Sequence, residues 1–339
     1  MKPRVVVTGL GVCAPNATSL EAFEEAMFAG VSGIRLIPQL KELGFRCQVA
    51  GAPEITQDLL HKYFTRLELR GLKSTGLVYG TIAGMQAWET AGLKPAPETA
   101  PDWDSGIIFG TSILGVDKFR ESILQVDAGN VRRVGSTTVP QTMASGISAF
   151  LGGKLGCGNQ VSTNSAACST GTEAVLMAFD RIREGKARRM LAGSCGDSGP
   201  YIWGGFDTMR VVPSGYNQAP EQASRPMSAS AAGLVPSSGA GALVLESLES
   251  ALERKAPIFA EVLGGAVNSG GQRNGGSMTA SNGAAVQRCF REALQNCGLE
   301  PRAVDTINGH LTATGGDAAE IRNWSQALGR KGPQFPLIN

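Results

Sequence analysis

Residues 161–193 read VSTNSAACSTGTEAVLMAFDRIREGKARRMLAG, and two backbone periods meet inside them. Val161 to Thr163 has the β-branched character of a strand, and small residues then turn the chain sharply. From Cys168 to Glu184 the apolar residues Ala174, Met177, Ala178, Phe179 and Ile182 recur at helical spacing, and Gly185 closes the helix. Met190 to Gly193 is apolar and extended again. Strand, helix and strand in this order form the unit of an α/β fold with an internal sheet.

The alternation extends in both directions. Arg4 to Thr8 reads as a buried strand followed by a glycine turn at Gly9 and Gly11. A capping box, Thr18 with Glu21, opens a helix that carries Leu20, Phe23, Met27 and Phe28 towards the core. Val49 to Pro53 is extended, Leu67 to Ala91 reads as one long apolar helix, and Gly106 to Gly110 and Ala240 to Glu246 read as strands. After Glu249 a second cycle begins with a strand over Ile258 to Val267, a helix over Ser281 to Cys297 and a strand over Val304 to Asn308. Phe335 to Asn339 starts another strand. The element order predicts two topologically related halves, 1–249 and 250–339, the second incomplete, although no residue-level repeat links them.

Composition narrows the function. The 339 residues carry 31 Lys and Arg against 29 Asp and Glu, a net charge of +2, which is no nucleic-acid footprint. The 45 glycines suit tight turns and close backbone contacts. Seven widely spaced cysteines without a C-x-x-C pair argue against a zinc site or a disulfide framework and for a reducing compartment. The basic start, Lys2-Pro3-Arg4, has the look of a signal peptide, but the apolar run after it is broken at Thr8, Gly9 and Gly11. No stretch reaches the ~20 apolar residues of a spanning helix. A cytoplasmic protein with no membrane or nucleic-acid partner is expected.

Two places carry chemistry. Cys168 stands where the strand turns into the helix, so unpaired amides and the helix dipole would favour its thiolate; the alternative is a small buried hydrophobe. His310 lies in Ile307-Asn308-Gly309-His310-Leu311-Thr312-Ala313-Thr314, just past a strand end, with two hydroxyls at alternate positions; a structural histidine fits the same place equally well. His61 sits in a polar stretch and reads as a surface residue. Arg66, Arg70 and Lys73, at i, i+4 and i+7, would share one helix face, either as an ordinary solvated face or as a docking face for an acidic partner.

These residues reach a family. Val5-Val6-Val7-Thr8-Gly9-Leu10-Gly11, Ala167-Cys168-Ser169-Thr170-Gly171, Ala192-Gly193-Ser194-Cys195, Ser224-Arg225-Pro226-Met227, Gly239 to Glu246 and the His310 loop occur in one order. In that order the chain resembles the elongating β-ketoacyl-acyl-carrier-protein synthases of the thiolase-fold superfamily. The Asn308 to Thr314 stretch resembles the variant in synthases of aryl-polyene or related polyketide pigments.

The resemblance implies an α-β-α-β-α layered fold and a decarboxylative condensation between an acyl-cysteine and a malonyl thioester. Cys168 matches the nucleophile and its own amide half of the oxyanion hole, His310 the first of two histidines, and Thr312 and Thr314 the hydroxyls that hold the pantetheine arm. Substrates arrive on the 4'-phosphopantetheine of an acyl-carrier protein, so no separate cofactor or metal is expected. Relatives form dimers, with themselves or with a related subunit, through a strand that matches Gln160 to Thr163. Family chains continue past the equivalent of Asn339 into a lysine, the second histidine and a glycine-rich gating loop. The resemblance therefore implies a C-terminally truncated chain that is acylated but does not condense alone. Small or neutral residues over Ser228 to Ser238 also replace the family's usual acidic ones. Two other readings are a non-catalytic partner like a chain-length factor, and a Cys-His hydrolase.

Overall fold

The computed structural model describes residues 2–271 and 282–339. The chain divides into two compact units, Met1–Arg210 with Pro236–Val262, and Val211–Val235 with Leu263–Asn339.

The first unit is built on one sheet. Its strands are β1 (Val5–Cys13), β4 (Ser105–Thr111), β5 (Val161–Ser162), β6 (Arg189–Gly196), β7 (Gly239–Ser247) and β8 (Ala260–Val262), in the order β5-β4-β6-β7-β1-β8. β2 (Ile34–Leu36) and β3 (Val49–Gly51) form a separate antiparallel pair. β5, β4 and β6 run parallel, while β7 is antiparallel to both β6 and β1. The helices are α1 (Leu20–Phe28), α2 (Pro38–Glu42), α3 (Gln57–Tyr63), α4 (Arg66–Leu69), α5 (Thr75–Thr90), α6 (Val116–Asp127), α7 (Thr138–Thr142), α8 (Gly146–Leu155), α9 (Thr170–Arg183), α10 (Pro200–Thr208) and α11 (Leu248–Glu253). None of the described helices is long and apolar enough to cross a membrane.

The strand period of two sorts side chains to the two faces. Ile107, Phe109, Leu191 and Val244 join the core under α5 and α8. Ile108, Met190, Ala192 and Leu245 point the other way, into Ala174, Ala178, Phe179 and Ile182 of α9.

Four expectations change. β1 does not turn at its glycines but runs through them to Cys13. A Cβ on Gly9 would lie 2.1 Å from the Ala87 carbonyl oxygen, and one on Gly11 1.9 Å from that of Ala83, so both glycines serve the close approach of α5. Next, the long helix over 67–91 is two helices. The buried Gln141 accepts from the Lys73 and Ser74 amides and donates to the Gly71 carbonyl, which holds the connector in a non-helical path with Gly71 at φ +76°. Ser74 then caps α5 afresh. Third, α1 is capped by Ser19 rather than Thr18 and buries Ala26, leaving Met27 61% and Phe28 87% exposed. Fourth, the strand expected over 258–267 pairs only at Ala260–Val262, and Gly264 at φ +152° takes the chain away.

In the second unit, β9 (Thr306–Ile307) and β10 (Leu337–Ile338) pair in parallel, and α12 (Gly283–Cys297) and α13 (Asp317–Leu328) cover them. The expected helix start at Ser281 lies outside the described residues. Ile307, Trp324 and Leu328 form the core, with Phe290 6.2 Å from Trp324 between ring centroids. Segment 211–235 belongs here because the Gly233 amide donates to the Ala313 carbonyl and the Met227 amide to the Asp317 carboxylate.

One buried charge anchors the first unit. Glu246, fully buried in β7, accepts from Nε and Nη2 of Arg254, from the Ser250 hydroxyl and from Thr8 Oγ1. Burial favours its neutral form, but these hydrogen bonds, led by Arg254, outweigh it and hold the carboxyl below the usual carboxylate range.

Urea denaturation should find Gly11→Ala destabilised by about 1–3 kcal/mol or more, because the new methyl enters the α5 backbone. Gly153→Ala, in α8 with open space around it, should instead gain about 0.5–1 kcal/mol. Because the Glu246 pKa is lowered by folding, its stabilisation is complete above the unfolded-chain value of ~4.3 and disappears as pH falls through the folded value. Thermal melts from pH 6 to pH 2 should therefore show a shallower acid decline for Glu246→Gln than for the parent.

Candidate active site

The path from β5 into α9 is held by short local bonds. The Asn164 side-chain amide donates to the Thr170 carbonyl at 2.8 Å, the Ala166 amide to Thr170 Oγ1 at 2.9 Å, and that same hydroxyl donates to the Ala167 carbonyl at 2.7 Å. They hold Ala167 at φ +48°, a left-handed conformation that costs a residue with a Cβ on the order of 1–2 kcal/mol. Cys168 follows within a 3₁₀ turn, Ala167–Ser169, so it precedes α9 instead of starting it, and its side chain is exposed.

Among the seven cysteines Cys168 alone is exposed. Burial pushes the thiols of Cys13 and Cys157 up to about 12, and it raises Cys195, Cys47 and Cys289 as well. Such thiols stay protonated and unreactive near neutral pH. Cys168 lies in the wall of a cavity of about 440 Å³ with Thr111, Ser112, Gly171, Ser194 and the start of β7, Gly239 to Gly241. That volume falls in the range of small-molecule sites.

His310 belongs to the second unit and is exposed at the end of β9. Its backbone amide donates to Glu320 Oε1 at 2.8 Å and the Leu311 amide to Oε2 at 3.1 Å, so one carboxylate clamps the turn. Leu311 at φ +27° and Ala313 at φ +56° are both left-handed. The Thr312 and Thr314 hydroxyls come together at 3.0 Å, and Gly309 has no room for a side chain because a Cβ would lie 2.6 Å from the Trp324 ring. Sequence reasoning passed over Glu320. The acidic first turn of α13, its apolar residues Ile321, Trp324 and Leu328, and the terminal Gly329 are the helix signals that would have pointed to it.

The three basic residues do not share a helix face. Arg66 starts α4, Arg70 is its extended C-cap, and Lys73 lies in the connector, 3.7 Å from Glu121. All three are exposed, as is His61 near the end of α3.

Comparisons with known proteins bear on both units. Residues 2–251 match the N-terminal domain model of β-ketoacyl synthases, and residues 259–339 the C-terminal domain model. The chain is 32% identical over 338 residues to the chloroplastic 3-oxoacyl-[acyl-carrier-protein] synthase I of Arabidopsis thaliana, an alignment that covers 94% of this chain and 67% of the relative. A β-ketoacyl synthase from Burkholderia phymatum superposes with a TM-score of 0.87 at 28% identity, covering 97% of this chain and 79% of that one. The ishigamide ketosynthase/chain length factor gives 0.85 at 27%, covering 98% and 79%.

Limited treatment of the folded protein with iodoacetamide, followed by peptide mapping, should alkylate Cys168 first. Cys13, Cys47 and Cys195 should react only after unfolding, and equal labelling of Cys13 would remove Cys168 from its privileged place.

Proposed function

Because the chain belongs to the β-ketoacyl synthase family, and so has its thiolase-like α/β fold, we propose that it is a condensing acyltransferase whose acyl group is carried on Cys168. The observation that carries this reading is the exposed thiol on a strained turn in a cavity wall. In the first step the Cys168 thiolate attacks the thioester carbonyl of an acyl chain borne on a carrier protein's 4'-phosphopantetheine. A new S–C bond forms, the old one breaks, and the pantetheine thiolate leaves and takes a proton. In the second step a malonyl thioester loses carbon dioxide, and the electron pair of the broken C–C bond becomes an enolate. The enolate attacks the acyl-cysteine carbonyl and expels the Cys168 thiolate, giving a 3-oxoacyl product.

His310 would hydrogen-bond the malonyl thioester oxygen as enolate charge develops, and the Cys168 amide would do the same for the acyl carbonyl. Thr312 and Thr314 would hold the pantetheine amides. No cofactor is needed beyond the carrier's arm. The acidic carrier would meet Arg66, Arg70 and Lys73 around the connector, not along one helix. We read 1–249 and 250–339 as the two related halves, and β5, one of the two edge strands of the sheet, as the edge through which two copies or two related subunits pair. Fatty-acid and polyketide chains both fit this chemistry.

The likeness to the ishigamide ketosynthase/chain length factor supports a second reading, a non-catalytic partner subunit. Incubation with an acyl thioester and intact-mass analysis separates the two. A single adduct, lost in Cys168→Ala, is expected; no adduct supports the partner, and loss of the adduct to water within seconds supports a hydrolase. Any malonyl-carrier decarboxylation by the chain should fall about 100-fold or more in His310→Ala, the usual cost of one donor at a developing oxyanion.

A further inference from the structure

The cavity beside Cys168 contains an unusual feature on its sheet side. Ser194 points from β6 towards α9, and its cross-strand neighbours in both directions are glycines, Gly110 on β4 and Gly241 on β7. A Cβ on Gly110 would lie 2.2 Å from Thr170 Cγ2, so no side chain fits there, whereas a Cβ on Gly241 would meet open space. Above Ser194, one helical turn from Cys168, is a third glycine: a Cβ on Gly171 would sit 2.7 Å from Ser194 Oγ. The serine hydroxyl therefore stands alone among three glycines and makes no hydrogen bond to any of the described residues. The remaining lining is small throughout, Cys13, Ala14, Pro15, Thr111, Ser112, Cys195 and Ser237 to Gly241 among it, with no leucine, isoleucine, valine or aromatic residue.

A saturated alkyl chain placed in such a cavity strips water from a hydroxyl that receives nothing in return. An acyl chain with its own oxygen close to the thioester replaces that water. We propose that Ser194 is a specificity residue that selects oxygen-bearing acyl groups, 3-oxoacyl or 3-hydroxyacyl, over saturated ones during acylation of Cys168. The hydroxyl can donate to a 3-oxo group and either donate to or accept from a 3-hydroxyl, so both classes satisfy it. The three glycines supply the room, and the open Gly241 side is the path by which the chain reaches the hydroxyl. This inference rests on the reading of Cys168 as the acylated residue.

The test uses the 339-residue chain with the N-acetylcysteamine thioesters of butanoate, 3-oxobutanoate and 3-hydroxybutanoate, following acyl-adduct formation by intact mass. Wild type should take the two oxygen-bearing groups about threefold to tenfold faster than butanoyl, the worth of one neutral hydrogen bond. Ser194→Ala should abolish that preference by slowing 3-oxobutanoyl and 3-hydroxybutanoyl transfer towards the butanoyl rate, and a thermal melt matching wild type checks that the variant is folded. Equal slowing of all three in Ser194→Ala, or a wild type that prefers butanoyl, would overturn the role of Ser194 while leaving acylation at Cys168 intact. Absence of any Cys168 adduct would instead remove the acyltransferase reading itself.

Discussion

The structure depends on how closely one helix lies against its surroundings. α5 is buried nearly all round, and at four-residue intervals it presents Gly76, Gly80 and Gly84. A Cβ at Gly80 or Gly84 would lie 2.7 Å from Ile147 or Leu151 of α8, and one at Gly76 2.7 Å from the Asp197 carboxylate. On the other side Gly9 and Gly11 of β1 meet the carbonyls of Ala87 and Ala83. Sheet and α5 thus approach at backbone distance, while α8 fills the glycine side of α5 with the ends of Ile147 and Leu151, so added methyls are crowded on both sides. Asp197 extends the consequence to the site. It accepts from the Ser74 hydroxyl, the Gly76 amide and the Val116 amide, so it ties the starts of α5 and α6 to the end of β6. The residues just before it, Ser194 to Gly196, are part of the cavity wall.

The two chemical loops share one device. In each, left-handed residues with side chains are kept in place by a group from the first turn of the helix that follows: Thr170 for Ala167, Glu320 for the turn at Leu311. Such strain persists only where neighbouring bonds over-determine it. In the first unit the result is an exposed sulfur. In the second it is an exposed histidine, followed along the chain by two hydroxyls, of Thr312 and Thr314, 3.0 Å apart. Each of these two loops is therefore shaped by contacts within ten residues along the chain, which leaves the large cores to hold the helices that carry those contacts.

What was legible in the sequence follows from this locality. The strand–turn–helix–strand run over 161–193, the isolation of Cys168 at its turn and the His310-Thr312-Thr314 spacing are short-range patterns, and the physics that builds them is short-range too. The family resemblance rests on the same segments. Where a distant residue decides, local pattern misleads. The break between α4 and α5 is made by Gln141, 68 residues further on from Lys73. The glycines of β1 look like a turn until α5 is beside them, and Met27 and Phe28 look like core although α1 buries only Ala26.

Ser194 marks the limit most clearly. By itself the sequence determined the alternation of strands and helices, the sharp turn at Cys168 and the family, because hydrophobic period, turn chemistry and motif order are properties of neighbouring residues. Only the tertiary structure decided which glycines surround Ser194, which thiols are buried and where the helices break. Cross-strand register and helix-on-sheet approach bring together Gly110, Gly171, Ser194 and Gly241, positions up to 131 residues apart, and no local pattern encodes the space left between them.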